Sequence, residues 1–293
     1  MNTSHTAKPE AQTAELAAIR LSGADIETFL QGQLTQDITR ITPDSPQLAG
    51  WTNAKGRLLC IFTAISWQKD IWLILPSALR DSVQKRLGMF LLRAAVKIDA
   101  PDVSINLNNK PNNSDISYCF NENNYLYFKV STGAHMALAY GAHDSTIETN
   151  RATEAGWRRT NIINGIPTIW PTTNESFVPQ MLNLDMLDAI SFSKGCYVGQ
   201  EIVARAQNLG RIKRRMYGFS ADPTLQVHPG DKLFLDGREA GEIVDAVTSS
   251  DETNLLAVTR IEQSQEAFYL DADCTSLPVK QQALPYAVPT TLD

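Results

Sequence analysis

Hydrophobic positions in the first hundred residues switch between two periods. Leu16 to Leu21 is a short apolar run that reads as a strand, and Ser22-Gly23 turns it into a helix carrying Ile26, Phe29, Leu30 and Leu34 at helical spacing. Asp25, in the first turn of that helix, suits the positive end of its dipole. A loop with Pro43 and Pro46 follows, and the β-branched and aromatic runs Leu58–Ser66 and Ile71–Leu75 predict strands. Ser77 is placed to cap a helix in which Leu79, Val83, Leu87 and Leu91 step by four, and Val96 to Ile98 returns as a strand. The order β-α-β-β-α-β is that of a split βαβ, ferredoxin-like unit.

Residues 106–115 are rich in Asn and contain Pro111, which predicts a loop, with strands resuming at Tyr125–Val130 and Met136–Tyr140. After Met216 the texture becomes short alternating runs, Lys232–Leu235, Glu242–Ala246 and Leu255–Ile261, separated by Pro229-Gly230, Asp236-Gly237 and Ser249-Ser250. Asp-Gly between two such runs is a hairpin signal, because both central residues must reach positive φ. The fold class is therefore α+β. A flexible tail is expected over 1–13, α+β structure over 14–215, and a small antiparallel β-barrel over 216–290.

Composition narrows the function classes. The chain has 293 residues, 43% of them hydrophobic, and a net charge of −6, which disfavours a uniformly nucleic-acid-binding surface but allows a local basic patch. Cys60, Cys119, Cys196 and Cys274 are far apart, with no Cys-x-x-Cys, so a sequence-local zinc or iron–sulfur site is disfavoured and no metal is expected. Met1 to Thr13 has no apolar h-region, and stretches such as Ile71-Trp72-Leu73-Ile74-Leu75 are far short of a membrane span. The expectation is a cytoplasmic chain with reduced thiols and no membrane contact.

One stretch carries candidate chemistry: Ser193-Lys194-Gly195-Cys196-Tyr197-Val198-Gly199-Gln200-Glu201, followed by a short helix, Gln200 to Asn208, with Gly210 as its cap. Cys196 falls just upstream of that helix and next to Lys194, two features that favour a thiolate, and Gly195 and Gly199 allow close approach or positive φ around it. The competing reading is a small buried hydrophobe in a tight loop. Residues 194–215 hold Lys194, Arg205, Arg211, Lys213, Arg214 and Arg215 against Glu201, a local +5 that leaves −11 on the rest. Such a run is either an anion-seeking face or a solvated face with ion pairs to the acidic remainder. A second cluster, Trp51 to Arg57, offers Lys55 and Arg57 around a glycine turn. In a third, Trp157 stands beside Arg158 and Arg159, an arrangement that either stacks a planar heterocycle while the cations meet a carboxylate tail, or packs a domain edge.

Together these segments resemble the YgfZ-type folate-binding proteins, relatives of the glycine-cleavage T-protein (GcvT-like). The matching pieces are Phe29 to Asp37, Asn53-Ala54-Lys55-Gly56-Arg57, Gly165-Ile166-Pro167, Phe177-Val178-Pro179-Gln180 with Asn183-Leu184, and above all Lys194-Gly195-Cys196-Tyr197-Val198-Gly199-Gln200-Glu201 with Arg205 and Lys213-Arg214 beyond it. The resemblance implies a ring of two intertwined ferredoxin-like domains over 14–215, one of them discontinuous, and the barrel over 216–290, around an opening that takes a tetrahydrofolate. It also implies a role in maintaining iron–sulfur enzymes, notably those that modify tRNA. On this basis Cys196 is the functional thiolate with Lys194 beside it, and the folate contacts fall to Trp157, Asn53, Lys55, Tyr197, Gln200, Glu201 and Arg205.

Three departures bear on chemistry. A ligand-associated tryptophan of some relatives corresponds to Leu16, the acidic pair that serves aminomethyl transfer in T-proteins corresponds to Cys60-Ile61, and a pterin-holding Glu corresponds to Ile163. Cysteine and isoleucine cannot supply a carboxylate to stabilise a cationic transition state. The leading expectation is thus a folate-binding accessory protein, not a classical aminomethyltransferase. A folate-dependent one-carbon transferase using Cys196, and a tRNA-binding module contacting tRNA weakly through Arg211, Lys213, Arg214 and Arg215, are the alternatives.

Overall fold

A computed structural model describes residues 16–42, 45–101, 103–108, 120–122, 125–131, 134–140, 154–208 and 212–291. The tail over 1–13, Pro43, Cys119, Gly210 and Arg211 lie outside them. So does the side chain of Trp157, although its backbone is helical.

The first sheet is built from β1 (Leu16–Ser22), β2 (Gln47–Thr52), β3 (Leu58–Trp67), β4 (Asp70–Pro76) and β5 (Lys97–Asp99), with α1 (Ile26–Gln31) after β1 and α2 (Ser77–Gly88) after β4. Its order is β2-β3-β4-β1-β5, every pair antiparallel. Without β2 this is the arrangement of a split βαβ unit. β2 is the strand that the local signal misses: Gln47, Ala49 and Gly50 are poor strand formers next to Pro46, and pairing with β3 overrides them. Gly50 leaves little room there, because a Cβ would come within 3.0–3.2 Å of the Leu58, Leu184 and Thr35 side chains.

Several local expectations change. α1 stops at Gln31, so Leu34 lies beyond it, in an isolated bridge to Trp51. Asp25 precedes α1 without capping it; its Oδ2 accepts from the Ala95 N–H at 2.7 Å and ties down the chain entering β5. Pro76 occupies the N-cap of α2 and Ser77 its first turn, while Leu79, Val83 and Leu87 form the buried stripe and Leu91 falls past the end.

A second antiparallel sheet, ordered β6-β9-β8-β7, comprises β6 (Val103–Asn108), β7 (Phe120–Glu122), β8 (Tyr125–Ser131) and β9 (Ala134–Tyr140). Residues 106–108, expected in a loop, are therefore strand. α3 (Glu154–Ile163) follows, then the irregular stretch 164–199 and α4 (Gln200–Asn208). The third sheet, ordered β11-β12-β13-β10-β14, comprises β10 (Arg214–Ala221), β11 (Lys232–Leu235), β12 (Arg238–Thr248), β13 (Thr253–Arg260) and β14 (Lys280–Gln282). Asp236 and Gly237 join β11 to β12 with φ of 50° and 73°, as the Asp-Gly signal requires.

In the third sheet β10, β13 and the middle of β12 are buried on both faces. Met216, Val244, Leu256 and Val258 join the core of the first sheet, while Tyr217, Phe219, Ile243, Leu255 and Ala257 pack a second core with Phe268. That alternation is the period of two expected of a strand. A bulge in β12 between Ile243 and Asp245 breaks it once and turns Asp245 toward α3.

Candidate functional site

The two clusters that the sequence singles out around Asn53 and Cys196 meet in space. β2 and β3 are joined by a tight turn in which Asn53 Oδ1 accepts from the backbone N–H groups of Lys55 (2.9 Å) and Arg57 (3.0 Å). The loop before α4 docks on that turn. Thr52 Oγ1 donates to Val198 O at 2.6 Å, and Val198 N donates to Gly32 O at the end of α1 at 3.2 Å. Gly56 and Gly199 have φ of 68° and 84°; a Cβ on Gly56 would meet Ile202 Cβ at 2.8 Å, and one on Gly199 would meet Thr52 Oγ1 at 2.7 Å and the Asn53 carbonyl closer still. Both positions demand glycine for backbone conformation and for space.

Gly195 differs. Nothing lies within 4 Å of a Cβ placed on it, and its φ is not positive, so open space flanks Cys196 on that side. Gly199→Ala is accordingly expected to destabilise the chain by about 2 kcal/mol or more, and Gly195→Ala by less than about 0.5 kcal/mol, in paired denaturant titrations. Equal losses would mean that the two glycines do the same job.

Lys194 anchors the other end of the loop. Its Nζ donates to Leu34 O and Gln36 O, both at 2.7 Å, and stands 5.3 Å from the centre of the Tyr197 ring. Burial lowers its pKa to about 8 against the opposing pull of Asp37. Tyr197 is buried, which pushes its phenol up to about 12. Its N–H donates to Gln200 Oε1 at 3.2 Å, so the Gln200 side chain closes the entry to α4. Between these two pinned neighbours the Cys196 thiol is exposed, which removes the reading of a buried hydrophobe. Lys55, Glu201 and Arg205 are exposed around the same surface.

The folate contacts expected of Asn53 and Gln200 meet a competing use. Asn53 Oδ1 holds its own turn, and Gln200 Oε1 holds the Tyr197 N–H. Arg158 and Arg159 are not available to a carboxylate tail. Arg158 Nε donates to buried Asp245 at 2.6 Å and its guanidinium lies 4.5 Å over the Trp170 ring. Arg159 binds Asn254 Oδ1 (2.7 Å) and Glu252 (3.1 Å). Both clamp α3 to the third sheet. Arg215 likewise corrects the expectation of an RNA-facing cation: it is buried, forms a two-pronged pair with Asp185 (2.6 and 2.8 Å) and donates to Gln180 O at 2.7 Å. Lys213 and Arg214 are exposed.

A cavity of about 30 Å³ lies where Leu16 and Ile61 face Ile166 and Pro167. Asn161, buried on its wall, has no hydrogen-bond partner for Oδ1, a residue that periodicity alone does not mark. An unpaired amide suits the donor edge of a pterin. The volume does not, being at least about tenfold below the usual small-molecule pocket. This cavity thus offers a folate one unpaired acceptor but not the room. Next to the cavity, Cys60 is wholly buried and its thiol pKa is pushed up by burial. Among the described residues no group of three or more potential ligands could hold a metal ion, and no helix is long and apolar enough to cross a membrane.

No protein-family model matches the chain. It is 27% identical over 304 residues to the tRNA-modifying protein YgfZ of Colwellia psychrerythraea, covering 94% of this chain and 93% of that one. To the protein of the same name from Sodalis glossinidius it is 26% identical over 298 residues, covering 93% and 91%. In fold it matches the glycine cleavage system aminomethyltransferase T of Bartonella henselae with a TM-score of 0.73 at 12% identity, over 93% of this chain and 84% of that one. The resemblance carried by the segments from Phe29 to Arg214 is thus matched over nearly the whole chain, which is similar to the YgfZ proteins in sequence and to the glycine-cleavage T-protein in fold.

Proposed function

We propose that this chain is an accessory protein of tRNA modification whose working group is the Cys196 thiol. The observation that carries the reading is a solvent-exposed cysteine on a loop held rigid at both ends, by Lys194 on the carbonyls of residues 34 and 36 and by Gly199 on the 53–57 turn. Pinning its neighbours while leaving the sulfur free presents a nucleophile, or one soft ligand, to something that comes from outside. A single thiolate cannot complete a four-thiolate cluster, so service to iron–sulfur enzymes in the cytoplasm, the finer form of the reading, is transient. A ring of two α+β units over 14–215 with a barrel over 216–290 belongs to the same reading. Aminomethyl transfer is disfavoured because the wall that would need a carboxylate carries buried Cys60 and Ile61. The test is replacement of Cys196, scored on tRNA modification in cells.

Folate binding is a second reading, favoured by the unpaired Asn161 amide on the cavity wall. It requires the 161–168 segment to move away from the first sheet and enlarge the space. Saturable quenching of tryptophan fluorescence by tetrahydrofolate in the wild type, weakened at least tenfold in Asn161→Leu, is the expected outcome. Quenching that never saturates removes folate from the reading and leaves the thiol untouched.

A further inference from the structure

The start of β10 carries a feature that α-helical or loop cations lack, a fixed register against a second cation. Arg214 pairs directly with Arg260 across the β10–β13 ladder, and both are exposed. Directly opposed residues of an antiparallel pair project to the same face with Cβ atoms about 5 Å apart, and like charges so placed repel. Lys213, also exposed, is held beside them, because its carbonyl accepts from the Ile261 N–H at 3.0 Å.

Several arginines elsewhere are answered by carboxylates: Arg158 by Asp245, Arg159 by Glu252, Arg86 by Glu175, and Arg215, the very next residue of β10, by Asp185. Among the described residues no ion pair engages Lys213, Arg214 or Arg260. Three exposed cations thus sit together, none of them in an ion pair, on a chain whose net charge is −6.

We infer that Lys213, Arg214 and Arg260 form a phosphate-binding patch for the backbone of an RNA, an inference that rests on the tRNA-modification reading and turns it from an indirect role into direct contact. Guanidinium forks match phosphate oxygens two at a time, and a bridging phosphate relieves the Arg214–Arg260 repulsion. All three residues are exposed, which favours an extended polyanion over a small enclosed one. Gln180 ties α4, the helix that follows the thiol loop, to β10: its Nε2 donates to Val203 O at 2.7 Å and its carbonyl accepts from Arg215. Contacts of this kind position an RNA without reading its sequence.

Fluorescence anisotropy of the full chain with a labelled tRNA transcript tests the patch. With about three phosphate contacts, wild-type affinity falls roughly twenty- to fortyfold between about 50 and 200 mM salt. The triple variant Lys213→Gln, Arg214→Gln, Arg260→Gln is expected to bind at least tenfold more weakly at the lower salt and to lose most of that response. Its melting temperature stays equal to wild type or rises, because the opposed charges are gone. Absence of tRNA binding in the wild type, an unchanged slope in the variant, or a fall of several degrees in its melting temperature each overturns the inference. Cys196→Ser separates the two proposals: it binds tRNA as the wild type does, so failure of the thiol reading leaves the slope intact and failure of the patch leaves the cellular effect of Cys196 intact.

Discussion

Cys196→Ser is expected to abolish the chain's contribution to tRNA modification while shifting the melting temperature by no more than about one or two degrees. The exchange keeps the size of the side chain and removes its nucleophilicity and its affinity for soft metals. The sulfur is exposed, and the groups that hold the loop are the backbone at 198, the Lys194 ammonium and Gly199, none of which the substitution touches. Cellular tRNA modification, measured in a strain that depends on this chain, reads the first effect, and thermal denaturation reads the second. Full complementation by Cys196→Ser sinks the thiol reading. A drop of many degrees would assign the cysteine a packing role that its exposure contradicts.

The opposite profile is expected of Arg215. Its side chain and that of Asp185 are 6% and 9% exposed, and the two prongs of the pair are joined by a third bond to Gln180 O. Arg215→Ala leaves a buried carboxylate unanswered and a backbone carbonyl without its donor, a loss of about 3–5 kcal/mol and roughly ten degrees of melting temperature. Replacing both partners, Arg215→Met with Asp185→Leu, is expected to recover much of that loss, since what destabilises is the orphaned charge. Equal stability of Arg215→Ala and the wild type would show that the pair is solvated. The contrast with Arg214 matters for any RNA-binding measurement: a variant at 215 is expected to weaken binding by unfolding, one at 214 by removing the proposed phosphate contact.

That distinction was invisible in the run Arg211-Ile212-Lys213-Arg214-Arg215. A strand with one wet face announces its phase by alternating polar and apolar residues, but β10 is buried on both faces after Arg214, so Met216 to Ala221 carries no such mark. Only the pairing with β13 says that 214 points out, opposite Arg260, and 215 points in. Arg260, 45 residues on from Arg215, could join the patch only once that ladder was formed. The choice between the two roles open to Arg158 and Arg159 was hidden for a related reason. Their partners Asp245 and Glu252 lie in and after a strand whose bulge re-aims one residue, and a bulge leaves no reliable trace in a period-two pattern.

What could be read from the chain alone was local: the helix over 200–208, the Asp-Gly hairpin, the split βαβ order, and a cysteine between glycines upstream of a helix. Each of these depends on backbone preferences that act within a few residues, so neighbouring letters suffice to specify them. Whether that cysteine was buried or exposed, which cations were spent on carboxylates and which stayed free, and how closely residues 161–168 close over the first sheet were decided by the tertiary structure. These depend on which distant side chains share a face, and in sheets buried on both sides the linear pattern does not carry that information.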